Sequence, residues 1–269
     1  MNAQTTMVTT VTPTMAKEWL ERNTGNRSVK FSHVDYLAGC ISRGEWLLTH
    51  QGIAFAPDGR LLDGQHRLMA IVKSGLPVQI QVSMGVQPDT FDVIDTGSVK
   101  RSASDVLHVP FATTAVAVMA RKLVVGSFSS GTAVSAQQLR PYVERFGPLI
   151  EELEDGGGQR GTRLLRNSHI RLAGILAAMN GDGMDYVNPL YKNLVKRNYD
   201  QLPPVAIALI RRIDLRDLVS HPSNPELLIC ARRVFSRKYA ANTKLLVRDK
   251  EPRLAEMKAE VQYVMGGGQ

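Results

Sequence analysis

The sequence has few aromatic residues, only two cysteines, and no apolar run long enough to cross a membrane. Each shortage excludes something. Cys40 and Cys230 lie far apart, so they give no disulfide framework and point to a reducing compartment. The apolar runs are too short for a spanning helix. The first residues, Met1 to Thr6, show no basic stretch leading into an apolar core. No secretory leader is expected there, and the protein reads as cytoplasmic. Several chemical signatures are missing as well. There is no Gly-x-x-x-x-Gly-Lys-Ser/Thr phosphate loop, no Cys/His zinc spacing and no Gly-x-Ser-x-Gly elbow. The six histidines, at 33, 50, 66, 108, 169 and 221, do not cluster at ligand spacing. These absences argue against standard nucleoside triphosphatases, zinc enzymes and α/β-hydrolases.

What is present begins with size and charge. A chain of 269 residues that is 43% hydrophobic can bury one large core or two modest ones. The net charge of +8 is unevenly placed. Residues 1–110 carry 10 Lys and Arg against 10 Asp and Glu, whereas residues 111–269 carry 23 against 15. A neutral head on a basic body suits an acidic partner such as DNA, although a merely solvated basic face has the same composition.

The most informative stretch runs from Gly59 to Gly75. Ile53-Ala54-Phe55-Ala56, the turn Pro57-Asp58-Gly59, and Leu61-Leu62 read as a β-hairpin. A helix then starts near Asp63-Gly64. Leu68, Ile71 and Val72 mark its apolar face, and Gly75 with Pro77 stops it. A helix start has outward N–H groups and partial positive charge, which suits an anion. Gly64 lets a ligand approach the backbone. His66 and Arg67 add donors within one turn, and the Arg fork matches phosphate oxygens. Asp63 either caps the helix or holds a metal-bound water. From these residues alone, a phosphate pocket and an ordinary capped surface helix both remain open.

Asp63-Gly64-Gln65-His66-Arg67-Leu68-Met69-Ala70 resembles the Gly-x-(His/Arg)-Arg-x-x-Ala signature of the ParB/sulfiredoxin-like superfamily. Asn23-Thr24-Gly25-Asn26-Arg27, Gly44-Glu45-Trp46, Ile94-Asp95-Thr96-Gly97 and Lys100-Arg101-Ser102 resemble, in order, a branch common in phage and prophage genes. The similarity covers about residues 12–110. It implies a glycine-arginine turn that binds nucleotide phosphates, with ATP or CTP and Mg²⁺ as cofactors. Members include CTP-hydrolysing ParB proteins, ATP-using sulfiredoxins and serine kinases, and nuclease activity has been claimed for some. Gln65 stands where sulfiredoxins carry a reactive Cys, so thiol chemistry does not carry over. If the gene is a phage gene, the compartment is the host cytoplasm.

The remaining segments supply further candidates. Residues 1–11, rich in Thr, read as a flexible arm. Thr12 and Pro13 open a helix. Asn26-Arg27-Ser28-Val29 reads as a short strand, and the resemblance makes Arg27 a second phosphate contact. Ser32 caps a helix to about Arg43, and Trp46 reads as a core anchor. Val78 to Val82 alternates as a half-buried strand. Asp95 and Thr96 end a strand where they either bind a hydroxyl, metal or base or stabilise the turn. Arg101 follows closely. Beyond Pro110 the pattern is helical. Arg160, Arg163, Arg166 and Arg171 form the best candidate stripe for nucleic-acid phosphates, with a solvated face as the alternative.

The expected fold is α+β. A flexible arm, 1–11, precedes a small mixed-sheet ParB/sulfiredoxin-like domain, 12–110, and an all-helical basic domain, 111–265. The expected function is nucleotide binding with hydrolysis or phosphoryl transfer on or near DNA. Asp63, His66 and Asp95 would be catalytic, with Asp63 and Asp95 holding metal. Arg27, Gly64, Gln65, His66, Arg67, Thr96 and Arg101 would contact nucleotide. DNA would meet the basic domain, no membrane is involved, and a homodimer is compatible with the surface. The alternative is a non-catalytic DNA- or partner-binding protein whose pocket is regulatory or vestigial. A metal-dependent nuclease stands third, because no two-metal carboxylate cluster is visible.

Overall fold

A computed structural model describes residues 4–26, 28–88, 102–128, 134–153, 163–218, 224–247 and 249–267. The fold is α+β: a four-stranded mixed sheet with helices, followed by a mostly helical region. The chain divides into two compact units, 1–100 with 131–137, and 101–130 with 138–269.

In the first unit the strands are β1 (Thr5–Val11), β2 (Ile53–Phe55), β3 (Leu61–Asp63) and β4 (Val78–Met84), in the order β1-β4-β2-β3. β2 and β3 form the expected hairpin across Pro57-Asp58-Gly59, with a register irregularity at Ala54 and Phe55. Helix α3 (Gln65–Ser74) carries the chain back so that β4 lies parallel to β2. Alternation in β4 sends Val78, Ile80 and Val82 into the core. Helices α1 (Pro13–Leu20) and α2 (Phe31–Ser42) pack against α3. Thr12 caps α1 by accepting from Met15 N–H at 3.2 Å, and Pro13 sits at its first turn. Leu68 and Ile71 are fully buried between helix and sheet, each contributing about 2 kcal/mol. Trp19 meets Phe55 edge-on at 5.3 Å. Trp46 packs on the same core and donates its indole N–H to the Gln79 carbonyl at 3.1 Å.

Three local expectations change. The arm expected at 1–11 holds a strand from Thr5, paired antiparallel to β4 in unbroken register from Thr5↔Met84 to Val11↔Val78. Threonine is β-branched and suits a pleated edge, but only Val11 of β1 is buried, so no apolar alternation marked it. The segment around Asn26 is not a strand: residues 26, 28 and 29 run irregularly, and Arg27 lies outside the described residues. The outer edge of β3 is satisfied differently. Leu61 N–H donates to the Arg22 carbonyl at 3.0 Å, and the Leu61 carbonyl accepts from the Asn26 amide at 2.7 Å. Helix α2 begins at Phe31, with Lys30 rather than Ser32 at the N-cap position and no side-chain cap bond there.

The second unit contains α4 (Ala103–Leu107), α5 (Phe111–Val125), α6 (Ala136–Leu153), whose first two residues belong with the first unit, α7 (Ser168–Ala177), α8 (Met184–Lys196), α9 (Pro204–Asp214), α10 (Glu226–Val234) and α11 (Lys250–Met265). Ser102 and Asp105 form a capping box on α4. α7 is buried almost all round and forms the axis of this unit, packing on α5, α8, α10 and α11. Asn167 starts it by accepting from Ile170 N–H at 3.0 Å. None of the described helices is long and apolar enough to cross a membrane. Cys40 and Cys230 are buried free thiols.

Candidate functional site

The turn from β3 into α3 is built on Gly64, which takes φ +103°. That conformation is strained for any residue with a Cβ. Space is tight as well: a Cβ would lie 3.0 Å from Ile53 Cγ1 and 3.2 Å from Ile53 Cα, closer than side chains ordinarily pack. Glycine therefore lets the start of α3 lie directly against β2. The first bond across this turn runs from Leu68 N–H to the Gly64 carbonyl at 2.9 Å. The N–H groups of Gln65, His66 and Arg67 precede it and belong to the electropositive helix end.

Asp63 does not cap the helix in the usual way. Its Oδ1 accepts from the adjacent Gly64 N–H at 2.7 Å, and its Oδ2 accepts from Arg67 Nη1 at 3.2 Å. Arg67 Nη1 also donates to the Gly52 carbonyl at 2.7 Å, and Nη2 donates to Gln51 Oε1 at 3.3 Å. The guanidinium thus clamps the 51–52 segment to the helix start. Gly52 is fixed by crowding, since a Cβ there would fall 2.1 Å from the Gln81 carbonyl oxygen. Gln65 is 4% exposed, and its Oε1 accepts from Asn23 Nδ2 at 3.0 Å. Asn23 Oδ1 accepts in turn from Asn26 Nδ2 at 2.7 Å, which pins the 23–26 loop over the site. His66 Nε2 accepts from the Lys30 N–H at 3.0 Å, so that nitrogen is unprotonated. The His33 ring meets His66 at 5.5 Å.

One side of this loop borders a cavity of about 180 Å³ lined by Thr24, Gly25, Asn26, Arg60, Leu61, Leu62 and Pro88. Arg60 projects beside it in an exposed pair with Asp58 at 2.8 Å. The structure thus brings Asp63, Gly64, Gln65, His66 and Arg67 together at one helix end. Arg27, Asp95, Thr96 and Arg101 lie outside the described residues, as does Arg160.

The arginine stripe takes another form. Arg163 and Arg166 bound a one-turn 3-10 helix, while Arg171 lies in α7 beyond the Asn167 cap, so these positions do not follow a single helical period. Arg166 and Arg171 are half-buried and their Nε atoms are shielded from solvent. Much other basic charge is tied down too: Arg212 pairs with Asp217 and Glu226, Arg232 with Glu260, and Arg197 with Asp214.

Sequence reasoning missed the roles of Asn23, Lys30, His33, Gln51 and Gly52. A signal for Gly52 existed, because glycine at the mouth of a strand marks close backbone approach. The others act through side-chain bonds with no periodic signature. Among the described residues, no group of three or more His, Cys, Asp or Glu is placed to hold a metal ion. Comparison with protein-family models, curated proteins and solved structures finds no match to this chain.

Proposed function

We propose that the first unit is a ParB/sulfiredoxin-like nucleotide-binding module of a phage or prophage protein, working with DNA in the cytoplasm. The observation that carries this reading is the Asp63–Arg67 turn. A glycine packed tightly on Ile53 starts a helix beside a fixed arginine, under a pinned asparagine loop whose other side borders a cavity. Backbone N–H groups at this helix end bind phosphate oxygens. Arg67, held by Gly52 and Asp63, presents its charge without further ordering cost, which favours binding. Asp63, with a half-exposed side chain, is the residue to hold Mg²⁺ arriving on the nucleotide. A nucleoside triphosphate, ATP or CTP, would supply the transferable phosphoryl group. If turnover occurs, Arg67 and the helix end offset charge that develops on the phosphoryl oxygens. His66, with Nε2 an acceptor, is the candidate base once Lys30 N–H yields its place.

A second reading has its own support. Arg67 spends three N–H groups on Gly52, Asp63 and Gln51. That commitment fits a binding switch without turnover. Calorimetric titration of ATP, CTP, GTP and UTP with Mg²⁺ tests the shared core. Binding of one nucleotide supports it, and silence from all four removes it. Measuring phosphate release by the binding-competent protein then separates enzyme from switch.

A further inference from the structure

The second unit holds a cleft that the nucleotide site does not use. α10, the 3-10 turn Arg237–Tyr239 and α11 wall a cavity of about 320 Å³ lined by Arg232, Arg233, Lys238, Tyr239, Arg253 and Glu256, among others. Arg233, Arg253 and Glu256 also line an adjoining hollow of about 350 Å³. The four cations are in different states. Arg232 is committed to Glu260 at 2.7 Å, with Asp182 at 3.6 Å. Arg253 pairs with Glu256 at 2.8 Å in an exposed bridge, which an incoming anion can exchange at little cost. Among the described residues, Arg233 and Lys238 have no carboxylate in ion-pair reach. Each places its charge 5.7 Å from the centre of the Tyr239 ring. Arg233 donates through Nη1 to the Leu246 carbonyl, but its Nε is buried with no acceptor. Arg233 lines the cleft with a charge that no described carboxylate offsets, and a phosphate in the cleft complements it. The sequence from 237 to 250 holds five Lys or Arg and one acidic residue, and Arg237, Lys238 and residues 241–244 are exposed.

We propose that this cleft binds single-stranded nucleic acid, with a base stacked at Tyr239 and the flanking phosphate held by Arg233 and Lys238. Lys238, on an exposed and flexible stem, leaves the ring for the phosphate as the base takes its place. Arg253 exchanges Glu256 for a neighbouring phosphate. An aromatic ring recessed between cations is reached by an unstacked base, whereas a duplex keeps its base faces hidden. This proposal rests on the nucleic-acid part of the function above and is independent of the Asp63–Arg67 site.

The test is fluorescence anisotropy of a labelled twelve-nucleotide oligothymidylate with the full chain, against a duplex of equal length. Tyr239→Ala is expected to weaken single-strand binding about tenfold, while Tyr239→Trp retains it. Lys238→Ala, at an exposed position that leaves folding intact, is expected to weaken binding and lower the salt slope by about 0.7. Wild-type binding that neither Tyr239→Ala nor Lys238→Ala alters overturns the cleft while leaving a nucleic-acid role elsewhere. Duplex binding at least as tight as single-strand binding overturns the single-strand assignment. No binding of either form removes this proposal together with the nucleic-acid role.

Discussion

Replacing Gly64 by alanine should damage the first unit far more than a methyl group normally does. Two costs add. At φ +103° a Cβ introduces backbone strain of about 1–2 kcal/mol. The same Cβ would sit 3.0 Å from Ile53 Cγ1 and 3.2 Å from Ile53 Cα, and the second contact is backbone that cannot swing aside. Overpacking of that kind costs about 1–3 kcal/mol more. The sum, about 2–5 kcal/mol, is a large share of the stability of an ordinary domain. Gly59→Ala supplies the control: it shares a positive φ, +85°, but a Cβ there meets nothing within 4 Å. It should lose only the strain. Urea unfolding followed by tryptophan fluorescence reads this unit selectively, because both tryptophans, Trp19 and Trp46, lie in it. Gly64→Ala as stable as Gly59→Ala would refute the claim that the helix start packs too closely on β2 to accept a Cβ without cost.

Two other outcomes follow from ionisable groups. Arg43 holds Glu45 through two bonds of 2.9 Å, and this keeps the Glu45 carboxyl below the usual glutamate range despite partial burial. A depressed folded value adds stability above the unfolded pKa, about 4.3, and that stability disappears as pH falls through the folded value. Glu45→Gln should therefore cost about 1 kcal/mol near neutrality, since Arg43 is partly exposed, and progressively less as pH falls through the depressed folded value. A difference that stays constant across this range would contradict the pairing. Burial pushes the Cys230 thiol up to about 11, partly opposed by Arg212. At about pH 8 only about one thousandth is thiolate, so a disulfide reagent should label it slowly until denaturant is added. Rapid labelling of Cys230 in the folded protein would show that the second unit opens far more readily than its packing implies.

The legible parts of this sequence were those marked by punctuation and period. Pro57-Asp58-Gly59, Gly64 and Gly75 delimit a hairpin and a helix, and Val78 to Val82 alternates, so β2, β3, α3 and β4 stand where the residues put them. β1 was hidden because its stability comes from pairing with β4 rather than from burying a face of its own. The loop after α1 was hidden because asparagine side chains, not a ladder, satisfy the edge of β3. The candidate site was legible as a set of residues but not as a geometry. Nothing in the spacing says that Arg67 turns back onto Gly52, or that Gln65 is buried against Asn23. Basic charge was the least legible property. Composition counts Arg212 and Arg232 equally with Lys238, yet folding pairs the first two and leaves the third exposed.

Hydrogen exchange across residues 61–68 tests the nucleotide site most directly. The full chain is compared with and without a mixture of all four nucleoside triphosphates and Mg²⁺. A ligand bound at the helix start should slow exchange of the Gly64 to Arg67 amides and of the 23–26 loop pinned above them. Arg67→Lys, which keeps the charge but loses the planar fork, should weaken that protection while leaving the tryptophan fluorescence of the folded unit in place. Exchange in both segments unchanged by nucleotide would contradict the account, and the turn would then be a structural clamp between β2 and α3.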